Sequence, residues 1–246
     1  MGVQLGGKVA VVSGAAGGLG AAWVAALRDE GATVVGFDLQ PGADVLADAS
    51  SATDVRSFVD DVVEAHGGID ISIANAGIVH ATSPLDPWDK ALADFDTQIG
   101  TNLKGVYLLG RAVAPIMVAR GGGNIVHIST DHVLPPPGRR TGGGAVMDAY
   151  DASKWAIRGL TEAWALALAR HHVRVNDLCM GATDAPMLRR FAGDRATPEV
   201  IATWMRPEDL ARVLVELILE GPDGRTGEQI GFWVGHPVQL PARTSA

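Results

Sequence analysis

Lys8-Val9-Ala10-Val11-Val12-Ser13-Gly14-Ala15-Ala16-Gly17-Gly18-Leu19-Gly20 opens as a short apolar run, breaks into glycines and passes directly into a segment of helical period that reaches Glu30. The first part suits a buried strand, and the glycines suit a tight turn into a helix. A second strand-like run covers 32–38. Outward from there the alternation continues, with a helix at 52–66, a strand at 69–74, a long helical stretch at about 86–120, a strand at 124–129, a helix at 148–170 and a strand at 173–179. Arg206-Pro207-Glu208-Asp209 places Pro and acids where a helix starts, 210–219 continues it, and Gly221-Pro222 stops it. The run 227–234 reads as a last strand. Strands separated by helices imply right-handed crossovers and a parallel sheet covered on both faces. The predicted fold is α/β, a doubly wound, Rossmann-like parallel sheet. No repeat or composition break marks a linker, so 1–246 reads as a single domain.

Composition narrows the function classes. Of the 246 residues 47% are hydrophobic and 20% charged, a globular balance without the long apolar run of a membrane span. The net charge of -8 repels a phosphate backbone, and no basic stripe with interleaved aromatics offsets it, so neither nucleic acid nor membrane is an expected partner. Cys179 is the single cysteine, which excludes an intrachain disulfide and a cysteine-rich metal site. With no secretion-signal pattern at the amino terminus, the expected location is the cytoplasm. The Met1-Gly2 start lacks the Ser or Thr at position six that myristoylation calls for, since Gly6 stands there.

Between a strand and a helix, Gly14, Gly18 and Gly20 let backbone N–H groups and a helix amino terminus approach a pyrophosphate. Without that context a glycine run is only a turn. Asp38 ends the second strand, where a carboxylate can accept hydrogen bonds from both ribose hydroxyls and would repel a 2′-phosphate. No Arg or Lys stands beside it to neutralise such a phosphate, so NAD(H) is expected over NADP(H). Leu19, Leu39 and Asp48 join the expected cofactor-binding set. Tyr150 and Lys154 are four apart, on one face of a helix. A phenol of pKa about 10 is a poor base at neutral pH, and a neighbouring ammonium favours its ionised form.

Taken together, Gly14-x-x-x-Gly18-x-Gly20, Ala74-Asn75-Ala76-Gly77, Asn102 with Gly105, and Tyr150-x-x-x-Lys154 resemble the short-chain dehydrogenase/reductase family in its single-domain branch, over nearly the whole chain. The resemblance implies hydride transfer between a nicotinamide and a secondary alcohol or ketone. It makes Tyr150 the general acid/base, gives Lys154 the nicotinamide ribose, and adds Asn75, Ala76, Gly77 and Gly181 to the cofactor site. Asn102 would hold a water in a proton relay behind Lys154; otherwise it is a helix-kink residue. The family's strand-end Ser falls on Thr130 by position, with Ser129 as rival because neighbouring strand residues face opposite sides. It also implies a homo-oligomer, dimer or tetramer, paired through helices around the site and through the last strand. Trp155 and Trp164 are compatible with pairing and equally with core.

Two departures border the site. The stretch 133–147 is Pro- and Gly-rich and longer than the family spacing, so His132 and Val133 are expected to line the substrate pocket and the turn to shape its mouth. A lone His without metal-spaced partners is more often structural than a ligand, and no metal is expected. After Cys179 the family's Pro-Gly becomes Met180-Gly181 and its usual Thr position falls on Ala185, so Thr183 is expected to make the carboxamide contact instead, through backbone or hydroxyl. Met187, Leu188, Phe191 and Trp204 form an apolar set that covers a mainly apolar alcohol or ketone, or else packs a helix onto the sheet. Alternative readings are a 3-oxoacyl-thioester reductase, which usually relies on NADP(H), and a non-catalytic NAD(H)-sensing subunit.

Overall fold

A computed structural model describes residues 4–139 and 143–243. Residues 140–142 of the expected pocket-mouth turn lie outside the described residues, as do 1–3 and 244–246. The strands are β1 (Val9–Ser13), β2 (Thr33–Asp38), β3 (Val45–Leu46), β4 (Ile71–Ala74), β5 (Gly123–Thr130), β6 (Val173–Met180) and β7 (Gln229–Phe232). They form one seven-stranded sheet in the order β3-β2-β1-β4-β5-β6-β7, every pairing parallel.

Alternation along the strands feeds two cores. Ala10 and Val12 join Trp23, Leu27, Leu214 and Phe232 beneath helices α1 (Gly18–Asp29) and α8 (Pro207–Leu219). Val9 and Val11 join Phe37, Phe58, Val113 and Ile157 on the opposite face. That face is covered by α2 (Ala52–His66), α4 (Gly105–Arg120) and α5 (Asp148–Leu168). A period of two therefore fills both layers from the same short strand.

The structure corrects the expected elements in five places. The helical stretch 86–120 is α3 (Trp88–Gln98), a π-helical turn (Ile99–Lys104) and then α4. β3 is two residues long, too short for any periodicity to announce it. β5 runs on to Thr130, so both candidate hydroxyls lie in the strand. The last strand is shorter than 227–234. The stretch 184–198, to which the sequence assigns no element, holds a short helix, α6 (Pro186–Ala192), before α7 (Pro198–Ile201).

Candidate active site

From β1 the chain winds outward to β2 and β3, then returns past β1 to place β4 on its other side. At such a switch point the connections leave the strand ends in opposite directions and open a crevice. A cavity of about 930 Å³ lies there, lined from the glycine loop and Asp38 at one end to Tyr150, Lys154 and α6 at the other.

The glycine loop is built for close approach. Gly14 (φ +67) and Gly18 (φ +56) use the left-handed region, and a Cβ on Gly20 would collide with the Gly14 carbonyl oxygen. No side chain caps α1, whose amino terminus faces the cavity beside Gly17 and Gly18. Asn75 lines the cavity, yet its polar atoms are committed to the protein. Its amide nitrogen donates to the Ser13 and Gly14 carbonyls at 3.0 Å each, and its Oδ1 accepts from the Trp23 indole at 3.1 Å. The Asn75 backbone N–H also donates to Ser13 Oγ. Asn75 thus ties β4 to the loop and to α1. Ala76 and Gly77 line the wall beyond it.

At the end of β2, Asp38 accepts from the Ala16 N–H at 3.0 Å and the Gln40 N–H at 2.9 Å. Its cavity neighbours are Leu39, Gln40 and Pro41, none of them basic. Arg28, in the last turn of α1, is bound to both oxygens of Asp44 and to the Val34 carbonyl. Asp48 and Leu19 also line the cavity, and Asp48 accepts from the Ser50 N–H and hydroxyl. These residues fit a dinucleotide: a loop whose glycines leave room for close approach, an uncapped helix start, and a carboxylate with no cation beside it.

At the other end, Tyr150 and Lys154 occupy the first turns of α5, both buried. Thr130 and Tyr150 line the same end of the cavity, and the Thr130 side chain favours the ionised phenol. Ser129 faces away: its Oγ donates to Asp177 Oδ2 at 2.7 Å and meets Cys179 Sγ at 3.1 Å. The geometry therefore favours Thr130 over Ser129 as the partner of Tyr150, as strand alternation requires. Lys154 Nζ donates to the Ile128 carbonyl at 2.8 Å and lies 5.8 Å from the Tyr150 ring centre. Burial pulls its pKa down to about 8, against the charge of Asp177. Burial also pushes the Tyr150 phenol up; the Thr130 side chain opposes this, while Asp151 and Asp131 push it further. The expected lowering of Tyr150 by Lys154 is not seen in this arrangement, because desolvation outweighs an ammonium that is turned toward a carbonyl.

Asn102 sits in the π-helical turn, where its side chain bonds both the N–H and the carbonyl of Ile78 and donates to Ser153 Oγ. It holds the segment after Gly77 against α5. The Thr183 hydroxyl donates to the Gly181 carbonyl at 3.0 Å, and both residues line the cavity.

His132, Met187, Leu188 and Phe191 line the substrate end, with Ile78, Val79, Met147 and Arg190. Val133 does not. It is 1% exposed, its N–H donates to the Thr130 carbonyl, and it turns into the protein, because the tight turn after β5 puts only one of two neighbours toward the cavity. Trp204 is likewise absent from the lining. The acids around Tyr150 escaped the sequence reading. His132 Nδ1 is 2.6 Å from Asp151 Oδ1, and Asp131 accepts from Thr130 Oγ1 at 3.3 Å. Asp177, fully buried, pairs in register with the equally buried His127. Burial lifts Asp177 to about 6 and lowers His127 to about 3. Only Asp151 left a trace, as the neighbour of Tyr150, and nothing there announces a contact with His132.

Comparison with known proteins places this arrangement. Residues 8–196 match the family model described as short chain dehydrogenase. The chain is 29% identical to a 3-oxoacyl-[acyl-carrier-protein] reductase of Thermotoga maritima, over 94% of this chain and 98% of that protein. It is 32% identical to a cis-4-hydroxycyclohexanecarboxylate dehydrogenase of Sinomonas cyclohexanicum, over 88% and 91%. A 3-ketoacyl-(acyl-carrier-protein) reductase from Brucella melitensis, solved in complex with NADH, superposes with a TM-score of 0.79 at 26% identity, over 94% of this chain and 98% of that one.

Proposed function

Because this chain belongs to the short-chain dehydrogenase family, we propose that it is an NAD(H)-dependent oxidoreductase interconverting a secondary alcohol and a ketone. The observation that carries the reading is Thr130, Tyr150 and buried Lys154 gathered at one end of a cavity that begins at a glycine loop. When bound, the nicotinamide supplies or takes the hydride. Thr130 holds the substrate oxygen. Tyr150 takes the hydroxyl proton from an alcohol, or gives one to a ketone, at its phenolic oxygen. Lys154 holds the ribose and, once drawn toward it and Tyr150, favours the phenolate. Gly181 and Thr183 steady the carboxamide. Asp38, without a cation beside it, favours NAD(H), while Leu39 and Asp48 flank the adenosine. His132 and Met187 face a mainly apolar substrate.

Cofactor binding and chemistry share one domain, 1–246, working as a homo-oligomer in the cytoplasm. Among the described residues no helix is long and apolar enough to cross a membrane, and no cluster of His, Cys, Asp or Glu is arranged to hold a metal ion. The similarity to 3-oxoacyl reductases favours a second reading, reduction of a 3-oxoacyl thioester. The test is nicotinamide absorbance with a panel of secondary alcohols and a 3-oxoacyl thioester, NAD in parallel with NADP, wild type beside Tyr150→Phe. Alcohol turnover with NAD that vanishes in the variant is expected. Turnover surviving in Tyr150→Phe would overturn the mechanism, thioester turnover alone would establish the second reading, and tight NADH binding without any turnover would indicate a sensor.

A further inference from the structure

Beside Tyr150 stands a polar group that an apolar alcohol would not need. His132 lines the cavity with its ring edge-on to the Tyr150 ring, centres 6.1 Å apart and planes at 80°. Its Nδ1 is held by Asp151 at 2.6 Å, and Nε2 has no partner among the described residues. The Asp151 carboxylate fixes the ring and favours its protonated form, against the opposing effect of burial. A ring oriented through one nitrogen presents the other as a defined donor. Asp131 lies on the same wall. One of its oxygens accepts from Thr130, while the other lies beside Gly181 with no hydrogen bond among the described residues.

We infer that His132, positioned by Asp151 and working with Asp131, is a specificity-determining residue that selects substrates carrying a second, uncharged hydroxyl next to the reacting carbon, that is, vicinal diols and their α-hydroxyketones. The geometry sets the spacing. Thr130 holds the reacting oxygen, and Asp131 Oδ1 lies 3.3 Å from Thr130 Oγ1, so the free oxygen of that carboxylate stands within reach of a group on the next carbon, with the His132 ring edge-on to Tyr150 on the same wall. A hydroxyl both donates and accepts, which matches one free donor on His132 and one free acceptor on Asp131. Charge decides against a carboxylate at that place. Asp151 already balances an imidazolium, and Asp131 adds negative charge to the same wall. The remaining substrate surface meets Met147, Met187 and Phe191, so the rest of the molecule is apolar.

The inference rests on the dehydrogenase reading, and the experiment separates the two. NADH formation is measured with cyclohexanol, cis-1,2-cyclohexanediol and 2-hydroxycyclohexanecarboxylate for wild type, His132→Phe, His132→Gln and Asp151→Asn. The expected result is a kcat/KM for the diol at least about tenfold above both others in wild type. That preference falls by at least about tenfold in His132→Phe, falls in Asp151→Asn, and is partly restored in His132→Gln, which keeps a donor. A general loss of packing would lower turnover of all three alcohols together and leave their ratio unchanged. An unchanged ratio in both His132→Phe and Asp151→Asn, or a wild-type preference for cyclohexanol or for the carboxylate, would overturn the inference while leaving the dehydrogenase reading intact. NADH formation from none of the three by wild type would overturn the inference alone, because the dehydrogenase reading is decided by the wider panel of secondary alcohols.

Discussion

Two adjacent hydroxyls at the end of β5 have opposite duties, and the difference is measurable. Thr130→Ala removes the partner of Tyr150 and is expected to lower kcat by about 10²-fold, with Thr130→Ser restoring most of it. Ser129→Ala leaves buried Asp177 short of a donor, so it should cost about 1–3 kcal/mol of stability in urea unfolding with far less effect on kcat. The reverse pattern would exchange their roles. Asp177 and His127, partners in the register of β6 and β5, have opposite pH signatures. Asp177, raised to about 6, contributes stability that is present at low pH and lost as pH rises from about 4 through 6. His127, lowered to about 3, contributes stability that is present above about 6.5 and lost as pH falls toward 3. Asp177→Asn removes the first contribution and leaves the second, so acid destabilisation between pH 6 and 4 should steepen; an unchanged slope of urea midpoints against pH would refute this. Sequence showed Tyr150, Lys154 and Asp38 because spacing and strand ends are local features. It did not show Asp177, Asp131 or Asp151, because a carboxylate in a string of letters reads as solvated and only tertiary packing buries it.

Among the elements, those with several turns or a full strand of periodicity were legible, and the irregular ones were not. The glycine loop was plain because it joins a strand to a helix. The π-helical turn was hidden inside a continuous helical pattern, since the wider turn does not alter which residue types appear, and the bonds from Asn102 in that turn to Ile78 are tertiary. α6 was hidden by its length. The stretch after β5 is anchored at both ends, by the Trp233 indole on the Leu134 carbonyl and by the Thr82 pairing with Met147. Shortening 135–144 while keeping these anchors is expected to change relative kcat/KM across a substrate panel several-fold while the NADH Kd stays nearly constant. A larger effect on NADH affinity would place that segment at the cofactor instead.

The whole molecule leaves an apolar surface uncovered. Trp88, Leu92 and Phe95 recur at helical spacing along α3 and are 44% to 75% exposed, next to α5 with exposed Trp155 and Leu166. The homo-oligomer proposed above would bury such a face against a second copy. Trp88→Glu combined with Phe95→Glu should therefore lower the mass in light scattering to that of one chain, and an unchanged mass would move the interface elsewhere. The strand order carries a different consequence. The crevice lies over the seam between β1 and β4, with Asp38 and Asp48 on the β2–β3 side and Lys154 and Thr183 on the β5–β6 side. A dinucleotide laid along it staples one half of the sheet to the other and has no comparable site on the unfolded chain, so its affinity is written into the melting temperature. Each tenfold excess over Kd adds about 1.4 kcal/mol to the folded state. NADH should raise the melting point well above what NADPH achieves, and a thermal melt can therefore rank cofactors before any substrate is in hand.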